Sequence, residues 1–471
     1  MNEFDGDNSQ KVIELRSKYP NFIYDSFSAT EDDDNIYLSY RFIIEGLTEF
    51  NPSLTIPKKD YIKKELNDFS KAIAFNIGMV ELISYWKSTF SPNVCIKCGN
   101  LTEKQKAFWK KLYFNGLGEL RYRNNINISF DEFMQINANE SSEMQPAKLN
   151  AMEAIDYSGY IVPIGGGKDS NVTLENLPID VDEDYCLMIN PKQVGLDCCY
   201  ARGFKDSNII EVKRTLDPKI VEMGHEGYIN GHTPFSAMVS FVTYFIAYHT
   251  NKKYIALSNE SSANESNVRD SEGDIINHQY SKSFEYENDF NNYVGEFLPT
   301  PIKYFSFLRP LNELQIAKLF AKSEKYHSIF KSCNVGSKSI PWVWCGHCAK
   351  CLFVYTILGA FLSREEIQNI FKKDLYADET LLETFEELAG YKKVKPFDCV
   401  GTFEEVNYAI ALTIQNYEKE GIELPYLLQY YKDHYELVDT TEDITKRYNE
   451  QNNLPEDLDE ILRKAVLWLI N

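Results

Sequence analysis

Residues 160 to 174 read YIVPIGGGKDSNVTL, and Gly165, Gly166, Gly167, Lys168, Asp169 and Ser170 are the residue types of an anion site. Glycines let main-chain N–H groups approach a phosphate. A helix starting here adds unpaired donors and the positive end of its dipole. Lys168 would supply a point charge, and Ser170 a hydroxyl donor or helix cap. A second set is Cys345, Cys348 and Cys351, spaced C-x-x-C-x-x-C in WCGHCAKC and preceded by Cys333. Thiolates this close can share a tetrahedral Zn²⁺, with Cys333 the fourth ligand and His347 a weaker one. Iron–sulfur ligation and metal-free packed thiols are the alternatives. Four protein ligands would make a zinc structural, since no position stays open. Cys95 and Cys98 form one more C-x-x-C, read as a metal pair or as two packed thiols.

Candidates for proton transfer cluster in two loops and a turn. GHEGYINGHTPF carries His225, Glu226, Asn230 and His232, and Ser258 to Asn267 (SNESSANESN) carries Asn259, Glu260, Asn264 and Glu265. Carboxylates there could bind Mg²⁺ through hard oxygen ligands or move protons; the alternative is a solvated, self-capping loop. Cys399, in the Pro- and Gly-flanked turn KVKPFDCVGTFEE, is either a small filler or a positioned thiol.

These residues need a scaffold, and the pattern implies an α/β chain. The apolar run before the glycines reads as a buried strand and the stretch after them as a helix. Residues 184–190, 208–212 and 254–258 read as further strands, with 235–249 a helix apolar all round. Strands alternating with helices predict βαβ units and a parallel sheet, whose ligands bind beyond the strand carboxyl ends. Ahead of them, residues 20–44 alternate with period two and predict a hairpin turning at EDDDN. A long helix carrying Ile62, Leu66, Phe69, Ile73, Ile77 and Val80 follows, then a helix opened by the capping box Thr102-x-x-Gln105. Leu314, Ala317, Phe320 and Ala321 mark a helix running to near Cys333, and beyond Ser363-x-x-Glu366 the chain is mostly helical. The expected organisation is an N-terminal α+β domain (1–150), an anion-binding parallel-sheet domain with the cysteine cluster (151–362) and a helical C-terminal region (363–471). The polar segment 137–145 is the expected linker.

Composition sets limits. Across 471 residues the net charge is −21, which repels phosphate backbones and argues against nucleic acid as the substrate; a small anion needs only a local basic pocket. Hydrophobic content of 44% with 25% charge is that of an ordinary folded protein. The acidic MNEFDGDNSQ is no signal peptide, and no run of 18 apolar residues occurs, so the expectation is a cytoplasmic protein away from membranes.

The loop fits neither common phosphate motif: Val162 stands where Walker A needs its first glycine, and Ser170 where a dinucleotide fingerprint needs its last. GGGKDS instead resembles the SGG-x-DS loop of the PP-loop ATP pyrophosphatases, with Gly165 in place of the serine. That resemblance implies an adenine nucleotide alpha hydrolase-like core. The wider set PIGGGKDS, NGHTPFSA, SNESSANESN, SCN with WCGHCAKC, and KPFDCVGT resembles the ATP-dependent UDP-N-acetylmuramoyl-L-alanyl-L-glutamate epimerases (MurL type). IGMVELISYWK and GLGELRYRNN extend the likeness over most of the chain.

The resemblance implies inversion of the terminal L-Glu of a nucleotide-sugar dipeptide to D-Glu, with ATP cleaved to AMP and pyrophosphate and Mg²⁺ as cofactor. An acyl-adenylate would cancel the carboxylate charge that resists loss of the α-proton. Asp169 would bind Mg²⁺ or orient Lys168, and His225, His232, Glu260, Glu265 and Cys399 are the candidates for moving the proton. A cyano-deazaguanine synthase-like enzyme, also carboxylate-adenylating and with the same cysteine pattern, is the alternative.

Overall fold

The computed structural model describes residues 7–139, 156–265, 268–269, 275–339 and 341–468. Of the expected linker, Asn137 to Asn139 end a strand, while residues 140–145 lie outside the described residues, as do 266 and 267 of the polar loop.

The N-terminal strands are β1 (Asn21–Glu31), β2 (Asn35–Ile44), β3 (Thr48–Phe50), β4 (Ser53–Pro57), β5 (Asn93–Asn100) and β6 (Gln135–Asn139). The period-two pattern works as expected in β2, where Ile36, Leu38, Tyr40, Phe42 and Ile44 all point inward. Its hairpin with β1 turns on Asp32, whose carboxylate accepts the N–H groups of Asp34 and Asn35 at 2.9 and 2.8 Å. The long helix starts later than its apolar stripe suggested, at Asp68, and runs to Trp86. Asn67 and Ser70 form a capping box there, so Ile62 and Leu66 stay outside it.

Five parallel strands follow: β7 (Ser158–Pro163), β8 (Tyr185–Ile189), β9 (Ile209–Thr215), β10 (Lys252–Leu257) and, past the minor pair β11 (Val268–Arg269) and β12 (Ile275–Ile276), β13 (Lys303–Ser306). They lie in the order β13-β10-β7-β8-β9, and β9 pairs antiparallel with β4. The N-terminal strands therefore continue the same sheet, β4-β2-β1-β5-β6. The buried helix Phe235–Thr250 packs on β10 and on Asp68–Trp86, filling the seam between the two halves.

The helix expected to reach Cys333 is Glu313–Ala321; a 3₁₀ turn at Glu324–Tyr326 follows it, so the approach to the cysteines is irregular. Helices dominate after residue 363, among them Phe403–Glu420, capped by Thr402. No described helix is long and apolar enough to cross a membrane.

Candidate active site

β7 ends at Pro163, the glycine loop follows, and the helix Lys168–Asn176 begins with Gly167 as its N-cap. Gly166 has φ +83°, and a Cβ there would lie 2.9 Å from Val194 and 3.1 Å from the main-chain nitrogen of Gly195. A Cβ on Gly167 would meet Ser332 Oγ at 2.6 Å, whereas Gly165 faces open space. The loop is clasped from outside: Lys331 N–H donates to Gly166 O at 3.0 Å. Ser170 Oγ donates to Gly167 O at 3.0 Å, bracing the turn from within.

Lys168 is buried, and its ammonium is enclosed by Asp169 and by Glu313 from the start of the helix Glu313–Ala321. Burial raises Glu313 above the ordinary carboxylate value, while Lys168 pulls it back toward the charged form. Burial also opposes the charge of Asp169, yet Lys168, Lys350 and Lys282 outweigh it and keep that carboxyl below its ordinary value.

Beyond the carboxyl ends of β7, β8 and β10 lies a cavity of about 580 Å³. Its walls include Gly165, Gly167, Asp169 and Ser170, residues 187–192 at the end of β8 and just after it, and Ser258 and Asn259 after β10. β7 is the strand from which the order runs to β8 on one side and β10 on the other, the topological position where open α/β sheets bind ligands. Among the described residues, Lys192, Lys282, Lys331 and Lys350 line it against the single carboxylate of Asp169, so an acidic protein holds a locally cationic cavity. Ser258 Oγ is buried without a hydrogen-bond partner among the described residues, a polar group at the wall left for a ligand.

Cys399 lies on the same cavity. Lys282 Nζ donates to its sulfur at 3.1 Å, His278 hydrogen-bonds it, and Lys350 holds its main-chain carbonyl. Burial pushes this thiol up, but Lys282, His278 and Lys350 outweigh it and hold it at about 6. Behind it, Glu119 Oε2 accepts from His278 Nδ1 at 2.6 Å and stands 3.3 Å from His232 Nδ1, while its other oxygen takes Arg123 at 3.4 Å.

The four cysteines of the cluster converge, their sulfurs all within 4.8 Å of one another. Cys333 and Cys348 are 3.9 Å apart, and Cys345 and Cys351 3.7 Å. A tetrahedral zinc with bonds of about 2.3 Å separates its sulfurs by about 3.8 Å. The donor set therefore fits one Zn²⁺ and is tighter than a cluster that spreads its cysteines over several irons. Gly336 and Cys345 donate N–H bonds to Cys333 Sγ at 3.0 and 3.4 Å. This arm touches both halves of the cavity, with Lys331 and Ser332 on the glycine loop and Asn334 bonded to Asp398 beside Cys399.

The other candidates are dispersed. His232 lies with Glu119 and His278 behind Cys399. Glu260 is buried beneath the polar loop, its carbonyl held by Arg309 and its charge felt at Lys168 and Lys282. Glu265 pairs with Lys395, and His225 ends a short surface helix. Cys95 and Cys98 join no group of three potential ligands among the described residues. Glu119, Lys282, Glu313, Lys350 and His278 escape a sequence reading because no local spacing marks them. Glu119 lies in GLGELRYRNN, a stretch that carries family resemblance but no catalytic spacing of its own.

Two family models match the chain: the MurL N-terminal domain over residues 14–307 and the MurL C-terminal domain over residues 329–442. Among curated relatives, the chain is similar to proteins named UDP-N-acetyl-alpha-D-muramoyl-L-alanyl-L-glutamate epimerase. That of Xanthomonas oryzae pv. oryzae is 31% identical over 341 residues, 71% of this chain and 73% of the relative. Those of a Micromonospora strain and of Salinispora tropica are 33% and 32% identical, covering 71% and 70% of this chain and 73% and 70% of the relatives. No solved structure matches.

Proposed function

The chain belongs to the MurL family, and from that premise we propose that it is an ATP-dependent epimerase. In this reading it inverts the terminal L-Glu of UDP-N-acetylmuramoyl-L-alanyl-L-glutamate to D-Glu. One observation carries the chemical half: the glycine loop and Cys399 open onto one cationic cavity at a sheet switch point. In this reading the loop would bind the phosphates and Cys399 would accept the proton, and their sharing one cavity supports it.

In the proposed sequence, the substrate α-carboxylate attacks the α-phosphorus of ATP, forming the acyl-adenylate and releasing pyrophosphate. The N–H groups of Gly165, Gly166 and Gly167 and of the following helix turn would hold the phosphates, as in a PP-loop core. Mg²⁺ would supply charge neutralisation there, with Asp169 the carboxylate on the cavity wall. Lys168 fixes Asp169 and Glu313 beneath the loop.

Cys399 Sγ then takes the α-proton while the C–H electron pair moves into the activated carbonyl. A proton drawn from water returns to the opposite face, the hydroxide left behind takes the proton from Cys399 Sγ, and a second water hydrolyses the mixed anhydride to free AMP. Cys333, Cys345, Cys348 and Cys351 would hold a structural Zn²⁺ that fixes the arm carrying Lys331, Ser332 and Asn334. A cytoplasmic setting follows from this precursor chemistry.

The test is incubation with ATP, Mg²⁺ and the precursor, followed by acid hydrolysis and chiral analysis of glutamate. D-Glu appearing only with ATP, and with AMP, supports the reading; glutamate remaining wholly L overturns it.

A further inference from the structure

Cys399 is attended by charged groups from separate elements. Glu119 comes from the short helix Gly118–Arg123, and His278 and Lys282 from the segment around the turn Tyr280–Lys282. Lys350 comes from the first turn of the helix Ala349–Gly359. Glu119 is buried, and its Oε2 faces two imidazole nitrogens. The rings of His232 and His278 have centroids 4.6 Å apart, too close for both to carry a proton comfortably.

The structure resolves the competition. Burial, then the charge of His278, drives His232 down to about 4. Burial also opposes charge on His278, but its bonds to Cys399 and Glu119 lift it to about 9. His278 is therefore the ring of the two that favours the positive charge, hydrogen-bonded to a carboxylate and to a sulfur.

Glu119, His232 and His278 also have the composition of a divalent-metal triad. Their surroundings argue otherwise, since Arg123 pairs with Glu119 and Lys87 and Lys282 act on His232. A single proton suits this cationic setting better than two further positive charges.

We propose that Glu119 and His278 are positioning residues for Cys399: Glu119 orients the protonated imidazole, which with Lys282 keeps the sulfur as the thiolate that meets the substrate α-proton. The arrangement is a carboxylate–imidazole–sulfur relay, in which each member fixes the next. His278 keeps its proton throughout; the S–H bond forms as the Cα–H bond breaks. Lys350, on the main-chain carbonyl, and Asp398, held by Asn334, complete the charged groups facing the relay. This inference rests on the epimerase reading for its substrate, though not for the state of the thiol.

The test follows alkylation of Cys399 by iodoacetamide in the full-length protein, read on its own peptide by mass spectrometry between about pH 5 and pH 10, beside kcat and KM. The wild-type midpoint is expected near 6. His278→Gln and Glu119→Gln should each raise it by about one pH unit or more, lower kcat roughly 100-fold and leave KM within about threefold. Glu119→Asp should recover part of both effects. An unmoved midpoint in both folded variants overturns the proposal, as does a loss confined to KM. A shifted midpoint in a protein that never inverts glutamate would uphold the relay and remove only the reaction assigned to it.

Discussion

Lys168 and Glu313 form an ion pair closed to solvent at both ends, their side chains 1% and 2% exposed. The pair ties the first residue of the glycine-loop helix to the first residue of a helix 145 positions further on. Glu313 N–H in turn donates to Glu405 at 2.7 Å, so the loop rests on a buried polar chain reaching the C-terminal region. Removing Lys168 alone leaves Glu313 an uncompensated buried charge, whereas removing both leaves only Asp169, which still feels Lys350 and Lys282.

Lys168→Met is accordingly expected to destabilise the protein by about 3–5 kcal/mol, and the double variant Lys168→Met/Glu313→Met to recover most of that loss. Urea unfolding of the three proteins checks this. Additive losses in the double variant would show that the two charges are not coupled.

Gly166→Ala tests the loop without touching a charge. Its φ of +83° disfavours any Cβ by about 1–2 kcal/mol, and Val194 leaves the methyl no room. The loop must shift, and ATP affinity measured by calorimetry should fall about tenfold or more. Unchanged affinity would place the nucleotide elsewhere.

The glycine loop and the cysteine cluster were legible because each is local: strand, turn and helix start are contiguous, and three of the four sulfurs lie within seven residues. The alternation in β2 and the capping boxes at Thr102 and Ser363 were legible for the same reason. Pairings across the chain were not. Nothing in residues 53–55 announces that they lie beside residues 213–215, the contact that makes one sheet of two sets of strands. His278 sits in no periodic segment, and only the fold brings Glu119 and Cys399 to its ring. Lys168 looked like a free charge for phosphate because its partner Glu313 is remote in sequence.

Metal content follows from the sulfur geometry. Purified protein should contain one zinc per chain, and Cys345→Ser should lower both zinc content and thermal stability. Because the same arm supports Gly166 and Asp398, stripping the metal should also weaken ATP binding. Full stability and ATP affinity after complete removal of zinc would contradict a structural metal.

The pH dependence has two limbs. Cys399 is lowered to about 6 and His278 raised to about 9, so thiolate and imidazolium coexist between those values. kcat should rise as pH passes about 6 and fall as it passes about 9, the two values belonging to the coupled pair. Stability follows the same signs: the thiolate contribution is lost as pH falls through about 6, and the imidazolium contribution as pH rises through about 9. A flat profile from pH 5 to pH 10 would remove this pair from the rate-limiting step.

The central claim is that carboxylate activation and α-proton exchange occur together in this cavity, and isotope transfer reads both. Substrate labelled with ¹⁸O in the glutamate α-carboxylate is turned over with ATP and Mg²⁺ in deuterated water, and the products are weighed. The expected result is AMP carrying one ¹⁸O from the carboxylate, formed alongside D-Glu bearing deuterium at its α-carbon. Unlabelled AMP, or D-Glu that keeps its original α-hydrogen, would contradict the account.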